Sequence, residues 1–294
     1  MKNIKSNKKG YSSIAVRMIE QFIESGKYPQ LKQAEKKIKI LTSSIKERLE
    51  TSECKRHVFK KQQLVGRFVA KPIYETDTVA LNEYLYDLGL LLHVVEIDNK
   101  KIQGNELYFD MIQDFKLPDT FYVKPSFNKV GNALNKFTEP FDVTDDWSLD
   151  DMAEMLASLK PEIKILGNEY EKLKVNLLHL QEIQELKRIP KENRTPIKHK
   201  YGSLSIVTNP ARYNISAIYD YIGEGLLIEY GTPSSKLLEP FILNGTITKS
   251  ELDQFKTLKD IRLDFSVMTV DDEQKMLEML DYKNKTAAAN RMAG

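Results

Sequence analysis

The sequence predicts an α+β protein, mostly helical with short mixed strands, organised around a long helix at about 161–189. Two observations predict this class. Between Met152 and Leu180 the apolar residues recur at steps of four and three, which is the spacing of one helical face. Elsewhere, short apolar runs such as Ile261–Val267 alternate with the two-residue period of a strand. We therefore expect helices to dominate and strands to be short.

The long helix has a readable start and end. Ser148, followed by Asp150 and Asp151, supplies a hydroxyl cap and first-turn carboxylates. Pro161 has no N–H to donate, so we expect the helix to kink or restart there, with Pro161 in its first position. Pro190 ends it.

The apolar stripe of this helix is wider than the seam of a two-stranded coiled coil, because Ile165, Val175 and Ile183 extend it. This width favours packing against several neighbours. Leu173 and Leu177 lie in the middle of the stripe, so we predict that both are buried.

Other elements follow from caps, breakers and periodicity. Before the long helix, helices are predicted to begin near Ser13, Pro29, Asp77 and Asn128, and the first two form an antiparallel hairpin. The predicted strands of this region are Val58–Phe59, Leu64–Ala70, Leu90–Ile97 and Phe121–Lys124. After the long helix, strands are predicted at Tyr201–Val207, Leu226–Tyr230 and Ile261–Val267. The predicted helix starts there are Pro210, Ser234 or Ser235, Thr248 with Glu251 as a capping box, and Thr269 with Asp272.

The chain of 294 residues is long enough for one large domain or two ordinary ones. Lys187–Lys200 contains two prolines and six basic residues, and it is the best candidate for a boundary. We predict a flexible basic tail at 1–12, a helix-rich domain at 13–190, a smaller α+β domain at 191–283 and a tail at 284–294. The sequence contains no run of about 18 apolar residues, so it predicts no membrane-spanning helix.

Charge is unevenly distributed. The first 70 residues carry 17 Lys plus Arg against 6 Asp plus Glu, a net of +11, which leaves −9 for the remainder of a chain whose total is +2. A basic region of this kind contacts phosphates or an acidic partner, or it is the solvated face of amphipathic helices. The candidate contacts with a partner or with nucleic acid are Lys32, Lys36, Lys37, Lys39, Lys55, Arg56, Lys60, Lys61, Lys187, Arg188, Lys191, Arg194, Lys198 and Lys200.

Motifs for catalysis are missing from the sequence. The acidic stretch from Glu139 to Glu154 offers carboxylates for Mg²⁺ or Ca²⁺, but it lacks the ligand ladder and the glycine of an EF-hand, and two of its aspartates already fit a helix start. The histidines are scattered, and Cys54, the single cysteine, excludes an internal disulfide. We predict no catalytic residue, no cofactor and no metal site.

These features favour a non-enzymatic structural or assembly subunit, of a phage particle or a similar large complex. The expected partners are further copies of the chain or other subunits of that complex. The alternative is a nucleic-acid-binding protein of replication or host takeover, and a third possibility is a metal-dependent enzyme without a recognisable motif. The expected location is the cytoplasm, or the virion if a phage encodes the protein, with no membrane partner.

Overall fold

The computed structural model describes residues 13–137 and 140–293. Helix covers 58% and strand 20%, which confirms an α+β fold that is mostly helical. The helices are α1 (Ile14–Glu24), α2 (Lys27–Leu49), α3 (Thr78–Asp87), α4 (Leu91–Val94), α5 (Asn99–Ile102), α6 (Glu106–Met111), α7 (Lys129–Leu134), α8 (Leu149–His179), α9 (Gln181–Lys187), α10 (Ile215–Ile222), α11 (Glu224–Tyr230), α12 (Ser235–Leu243), α13 (Lys249–Asp253) and α14 (Val270–Ala293). The strands are β1 (Arg56–Phe59), β2 (Leu64–Thr76), β3 (Val95–Ile97), β4 (Phe121–Phe127), β5 (Ile197–His199), β6 (Gly202–Thr208), β7 (Gly231–Pro233) and β8 (Lys256–Thr269).

Contacts group the chain into two units, each built from two separate segments. The first unit contains the chain up to Ser52 together with Thr120–Asn209, and the second contains Glu53–Asp119 together with the chain from Pro210. The linear division predicted at residue 190 therefore falls inside the first unit, because strand β6 of that unit follows it in sequence. The predicted tail at 284–294 is helical as far as Ala293. The predicted tail at 1–12 lies outside the described residues.

In the first unit, α1 and α2 form the predicted hairpin. Ser13 caps α1, and Gly26 turns the chain with a φ of 83°, a left-handed conformation that favours glycine. Helix α8 runs antiparallel to α2: Lys27 pairs with Glu169 at 2.8 Å near one end, and Arg48 donates to the carbonyl oxygen of Trp147 at the other.

The long helix begins earlier and ends earlier than predicted. Ser148 and Asp151 form a reciprocal capping box, and the helix continues through Pro161 to His179. The helix does not restart at Pro161, because Leu156 and Leu166, on either side of the proline, are both buried and their packing offsets the lost hydrogen bond. The break comes instead at Leu180, whose ψ of 141° is extended, and α9 follows it.

The sheet of the first unit has the strand order β4-β6-β5, and both pairings are antiparallel. Its buried residues Val123, Leu204 and Ile206 share a core with residues of α1, α8 and α9. Leu177 is fully buried in this core, as predicted, whereas Leu173 only packs against it and is half-buried.

The helical core of the second unit surrounds a two-stranded sheet of β3 and β7. Two strand predictions fail in this region. Leu90–Ile97 splits into the short helix α4 and strand β3, so only its last three residues are strand. Leu226–Tyr230 belongs to helix α11, which buries Leu226, Leu227 and Tyr230 on one face.

The second unit also contains a three-stranded antiparallel sheet in the order β1-β2-β8. Strands β2 and β8, of 13 and 14 residues, are longer than the short strands predicted, and they pair along their whole lengths. All pairings of the described strands are antiparallel, not mixed. Strand β1 pairs only with residues 64–67, so most of the β2–β8 pair has no third strand; the whole β2–β8 pair is referred to below as the ribbon.

Candidate functional site

Strand β8 lies at the edge of its sheet. It pairs with β2 on one side, and no described strand pairs with its other side. An edge strand presents a row of backbone N–H and C=O groups that can pair with another chain. This edge is 14 residues long, which is more than twice the usual length of a strand.

One face of the ribbon is apolar over most of its length, from Leu64 to Pro72 of β2. Residues opposite each other in an antiparallel pair share a face, so the register and the two-residue alternation define this apolar face. It consists of Leu64, Gly66, Phe68, Ala70 and Pro72 of β2 and Ile261, Leu263, Phe265 and Val267 of β8.

The apolar face changes from covered to uncovered along the ribbon. Near β1, Leu64 and Phe68 are buried. Farther along, Ala70 and Pro72 are exposed, and the side chains of Ile261 and Leu263 are 58% and 43% exposed. A two-stranded ribbon needs a third strand or a packed layer for independent stability, so the outer half of this face fits a partner.

The opposite face of the ribbon carries charges that pair across and along the strands. Lys71 contacts Asp264 at 3.0 Å across the pair, and Arg262 contacts Asp264 at 2.6 Å along β8. The hydrogen bonds from Arg262 and Lys71 hold the pKa of Asp264 below its usual value, so this carboxylate is ionised at neutral pH. The ribbon therefore has one charged face and one apolar face.

The inner end of the ribbon is fixed by a buried carboxylate of α14. Glu273 is 4% exposed and accepts hydrogen bonds from Arg56, the shortest at 2.6 Å, while Arg67 lies 3.7 Å away. The hydrogen bond from Arg56 lowers the pKa of Glu273. Arg56, a predicted partner contact, thus has a structural role.

Several other predicted cationic contacts are also engaged within the fold. In the first unit, Lys36 and Lys37 lie over the rings of Phe137 and Phe141 at 5.9 and 5.3 Å. Arg194 donates to backbone carbonyls and stacks on Phe121 at 5.2 Å. Residues with comparable contacts are Lys32 with Glu35, Lys187 with the carbonyl of Leu178, and Lys200 with Glu24. In the second unit, Lys55 lies over Phe68.

The remaining predicted contacts are exposed, and no ion pair links them to another described residue. They are Lys39, Lys60, Lys61, Arg188, Lys191 and Lys198. Lys60 and Lys61 belong to the second unit and the other four to the first. Within the first unit, only Arg188, Lys191 and Lys198 come from one short segment.

The acidic stretch is organised by structural hydrogen bonds. It borders an open groove of about 580 Å³ lined by Asp146, Trp147, Asp151 and Glu154. Hydrogen bonds from Ser148 lower the pKa of Asp151, and one from Thr144 lowers that of Asp146. Among the described residues, no group of three His, Cys, Asp or Glu side chains is arranged to hold a metal ion. Glu139 of the same stretch lies outside the described residues.

Two of the four histidines, His57 and His199, are described by their local surroundings. Nε2 of His57 lies 2.7 Å from the carbonyl oxygen of Cys54, so this ring contacts the backbone of the cysteine. Burial lowers the pKa of His199, which favours its neutral form.

The uncovered face of the ribbon was missed by reasoning from the sequence. The alternation of Ile261–Val267 predicted strand β8, but it did not identify β2 as the partner or show which end lacks a cover. Among the described residues, no helix combines the length and apolar character needed to cross a bilayer. Comparisons with models of known protein families, with curated proteins and with solved structures found no match to this chain.

Proposed function

We propose that the protein is a non-enzymatic assembly subunit that associates with a second copy of itself through the edge of β8. The observation that carries the proposal is the ribbon, because its long open edge coincides with an uncovered apolar face. Addition of a strand to this edge satisfies backbone groups and widens the apolar face at the same time.

The sequence of β8 is self-complementary in antiparallel pairing. If the two-fold axis passes through Leu263, Arg262 lies opposite Asp264 of the second copy, and Ile261 lies opposite Phe265 of the second copy. An axis at Arg262 would instead place Asp260 opposite Asp264 and Arg262 opposite itself. The charges therefore disfavour that neighbouring register, and the pairing is isologous and closed.

Self-pairing of β8 would convert two three-stranded sheets into one six-stranded sheet. Ile261 and Leu263 of each copy would become neighbours at its centre, where they bury apolar area that is exposed in the single chain. Such a dimer is a building block for a larger complex, such as a phage particle, in which other surfaces make the remaining contacts.

Sedimentation velocity over a range of protein concentrations tests the apolar part of this proposal. We expect the wild-type chain to form a dimer, and Ile261→Lys or Leu263→Lys to raise its dissociation constant by roughly tenfold or more, because each dimer loses two buried side chains. The matched control is Leu107→Lys in α6, since Leu107 is 68% exposed but lies outside the ribbon. A wild-type chain that is monomeric at every concentration would contradict the proposal.

A charge exchange tests the register. Arg262→Glu and Asp264→Arg should each weaken the dimer by roughly tenfold, because each places like charges opposite one another twice per dimer. The double variant should recover most of the lost affinity. Circular dichroism of each variant verifies the fold, and equal weakening in the double and single variants would rule out this register.

Nucleic-acid binding is the second candidate, supported by the exposed cations Arg188, Lys191 and Lys198 that follow α9. If it is correct, the chain retards DNA or RNA in a gel, and the affinity falls steeply with salt concentration. Changing all three residues to Glu should abolish the retardation, whereas Lys39→Glu on α2 serves as the control. No retardation by the wild-type chain at low salt would eliminate this candidate.

A further inference from the structure

We propose that a cavity in the second unit binds a small molecule with an apolar body and one anionic group. The cavity has a volume of about 320 Å³. It lies where the end of β2 and the start of β8 meet the beginnings of α3 and α12, so residues from several elements line it. This volume is within the range of small-molecule sites in proteins.

The floor of the cavity is apolar and belongs to the helical core. Leu81, Leu238 and Leu252 line it, and each is at most 6% exposed. Ile242 and Pro233 complete the apolar lining. Because these side chains are already held by the core, the apolar part of the site is preformed and costs little reorganisation on binding.

The rim of the cavity carries hydroxyl groups. Thr76, Thr78, Thr232 and Ser235 line it, and their hydroxyls make no side-chain hydrogen bond to another described residue. Ser235 is the first residue of α12, whose N-cap residue Ser234 makes no side-chain cap. The donors available at this rim therefore suit an oxygen-rich group on a ligand.

The charges around the cavity select for an anion. Lys256 pairs with Asp253 at 2.8 Å, so these two lining residues are mutually compensated. Lys249 also lines the cavity, is exposed, and forms no ion pair with any described residue. At roughly 30 Å³ per water-sized group, the cavity accommodates about ten non-hydrogen atoms. We therefore infer a ligand the size of a medium-chain carboxylate.

Octanoate is a probe of this size and chemistry, and octanamide is its neutral counterpart. Titration of the full-length chain should be followed by heteronuclear NMR with assigned backbone amides. We expect octanoate to shift the amide signals of Thr78, Thr232, Ser235 and Leu252, and we expect octanamide to bind more weakly. Hexyl phosphate then shows whether a phosphate replaces the carboxylate.

Two variants separate the contribution of Lys249 to octanoate binding from that of the cavity itself. Lys249→Met should weaken octanoate binding by about two- to fivefold, as expected for one exposed ion pair, and should leave octanamide unchanged. Lys236→Met on α12 is the matched control, because Lys236 is exposed and does not line the cavity. Thr232→Phe should fill the cavity and abolish binding of both probes, and thermal unfolding shows whether this variant folds.

The outcomes are distinct. No binding of octanoate, or shifts confined to residues away from the cavity, would overturn the proposal. Equal affinity for octanoate and octanamide would overturn its anionic part. This result is independent of self-association, because the ligand site and the edge of β8 are tested with separate variants.

Discussion

At the scale of single residues, Asn82 ties helix α3 to the end of α11. Its side chain is fully buried, and its amide nitrogen donates to the carbonyl oxygens of Ile228 and Gly231, both at 2.9 Å. Carbonyls at a helix end have no partner within the helix. We expect Asn82→Ala to reduce the free energy of unfolding by about 1–3 kcal/mol in chemical denaturation. The exposed Asn176→Ala should have little effect, and equal midpoints for the two variants would contradict this role.

A second single residue, Glu273, makes the free energy of unfolding depend on pH. Its hydrogen bonds from Arg56 lower its pKa in the folded chain, so its contribution is complete above the unfolded-state pKa of about 4.3. That contribution is lost as the pH falls through the lower folded-state pKa. Glu273→Gln should therefore flatten the loss of stability in acid, and Arg56→Met should do the same. Thermal unfolding from about pH 5 to 3 measures the effect, and parallel profiles for wild type and variants would refute it.

At the scale of elements, residues of the apolar stripe of α8 differ in burial and so in their contribution to the free energy of unfolding. Leu177 is fully buried, whereas Leu173 is only half-buried against the same core. Leu177→Ala should cost about 2–5 kcal/mol of the free energy of unfolding, and Leu173→Ala should cost clearly less. Chemical denaturation gives both values. Equal losses would contradict this difference between the two positions, and a loss below 1 kcal/mol at Leu177 would mean that α8 does not hold this core.

Elements with caps and long periodic patterns could be predicted from the sequence, and short apolar runs could not. The hydroxyl cap at Ser148 and the capping box of Thr248 with Glu251 predicted helix starts at which α8 and α13 do begin. In contrast, Leu226–Tyr230 is too short to separate a strand from a helix by periodicity. Its buried positions 226, 227 and 230 show the helical spacing only in the folded structure.

The candidate site was less predictable than the elements, because it depends on a distant pairing. Strand β8 was predicted from Ile261–Val267, but its partner β2 lies almost 200 residues earlier in the chain. The charge composition also could not show which Lys and Arg side chains contact other residues of the folded chain. Lys36 and Lys37 lie over phenylalanines about 100 residues away in sequence, whereas Lys39, on the same helix, does not.

At the scale of the whole molecule, neither unit is complete in one continuous stretch. A fragment of residues 1–190 contains the chain of the predicted helix-rich domain but lacks β6, the central strand of the first unit's sheet. We expect this fragment to lose cooperative unfolding, whereas residues 1–209 should retain the core of the first unit. Thermal scans by circular dichroism compare the two, and a cooperative transition in the 1–190 fragment would contradict this expectation.

The pairing of Leu64 with Thr269 has a consequence for synthesis on the ribosome. Strand β2 emerges early, but it must wait for almost the whole chain before β8 arrives, and such non-local pairings form slowly. At 5–20 residues per second, this delay lasts roughly 10–40 s. During that interval the exposed strand is available to any neighbouring chain. On a polysome, the nearest chain with a complementary β8 is an older copy of the same protein, so pairing of β2 with that copy's β8 competes with pairing inside its own chain.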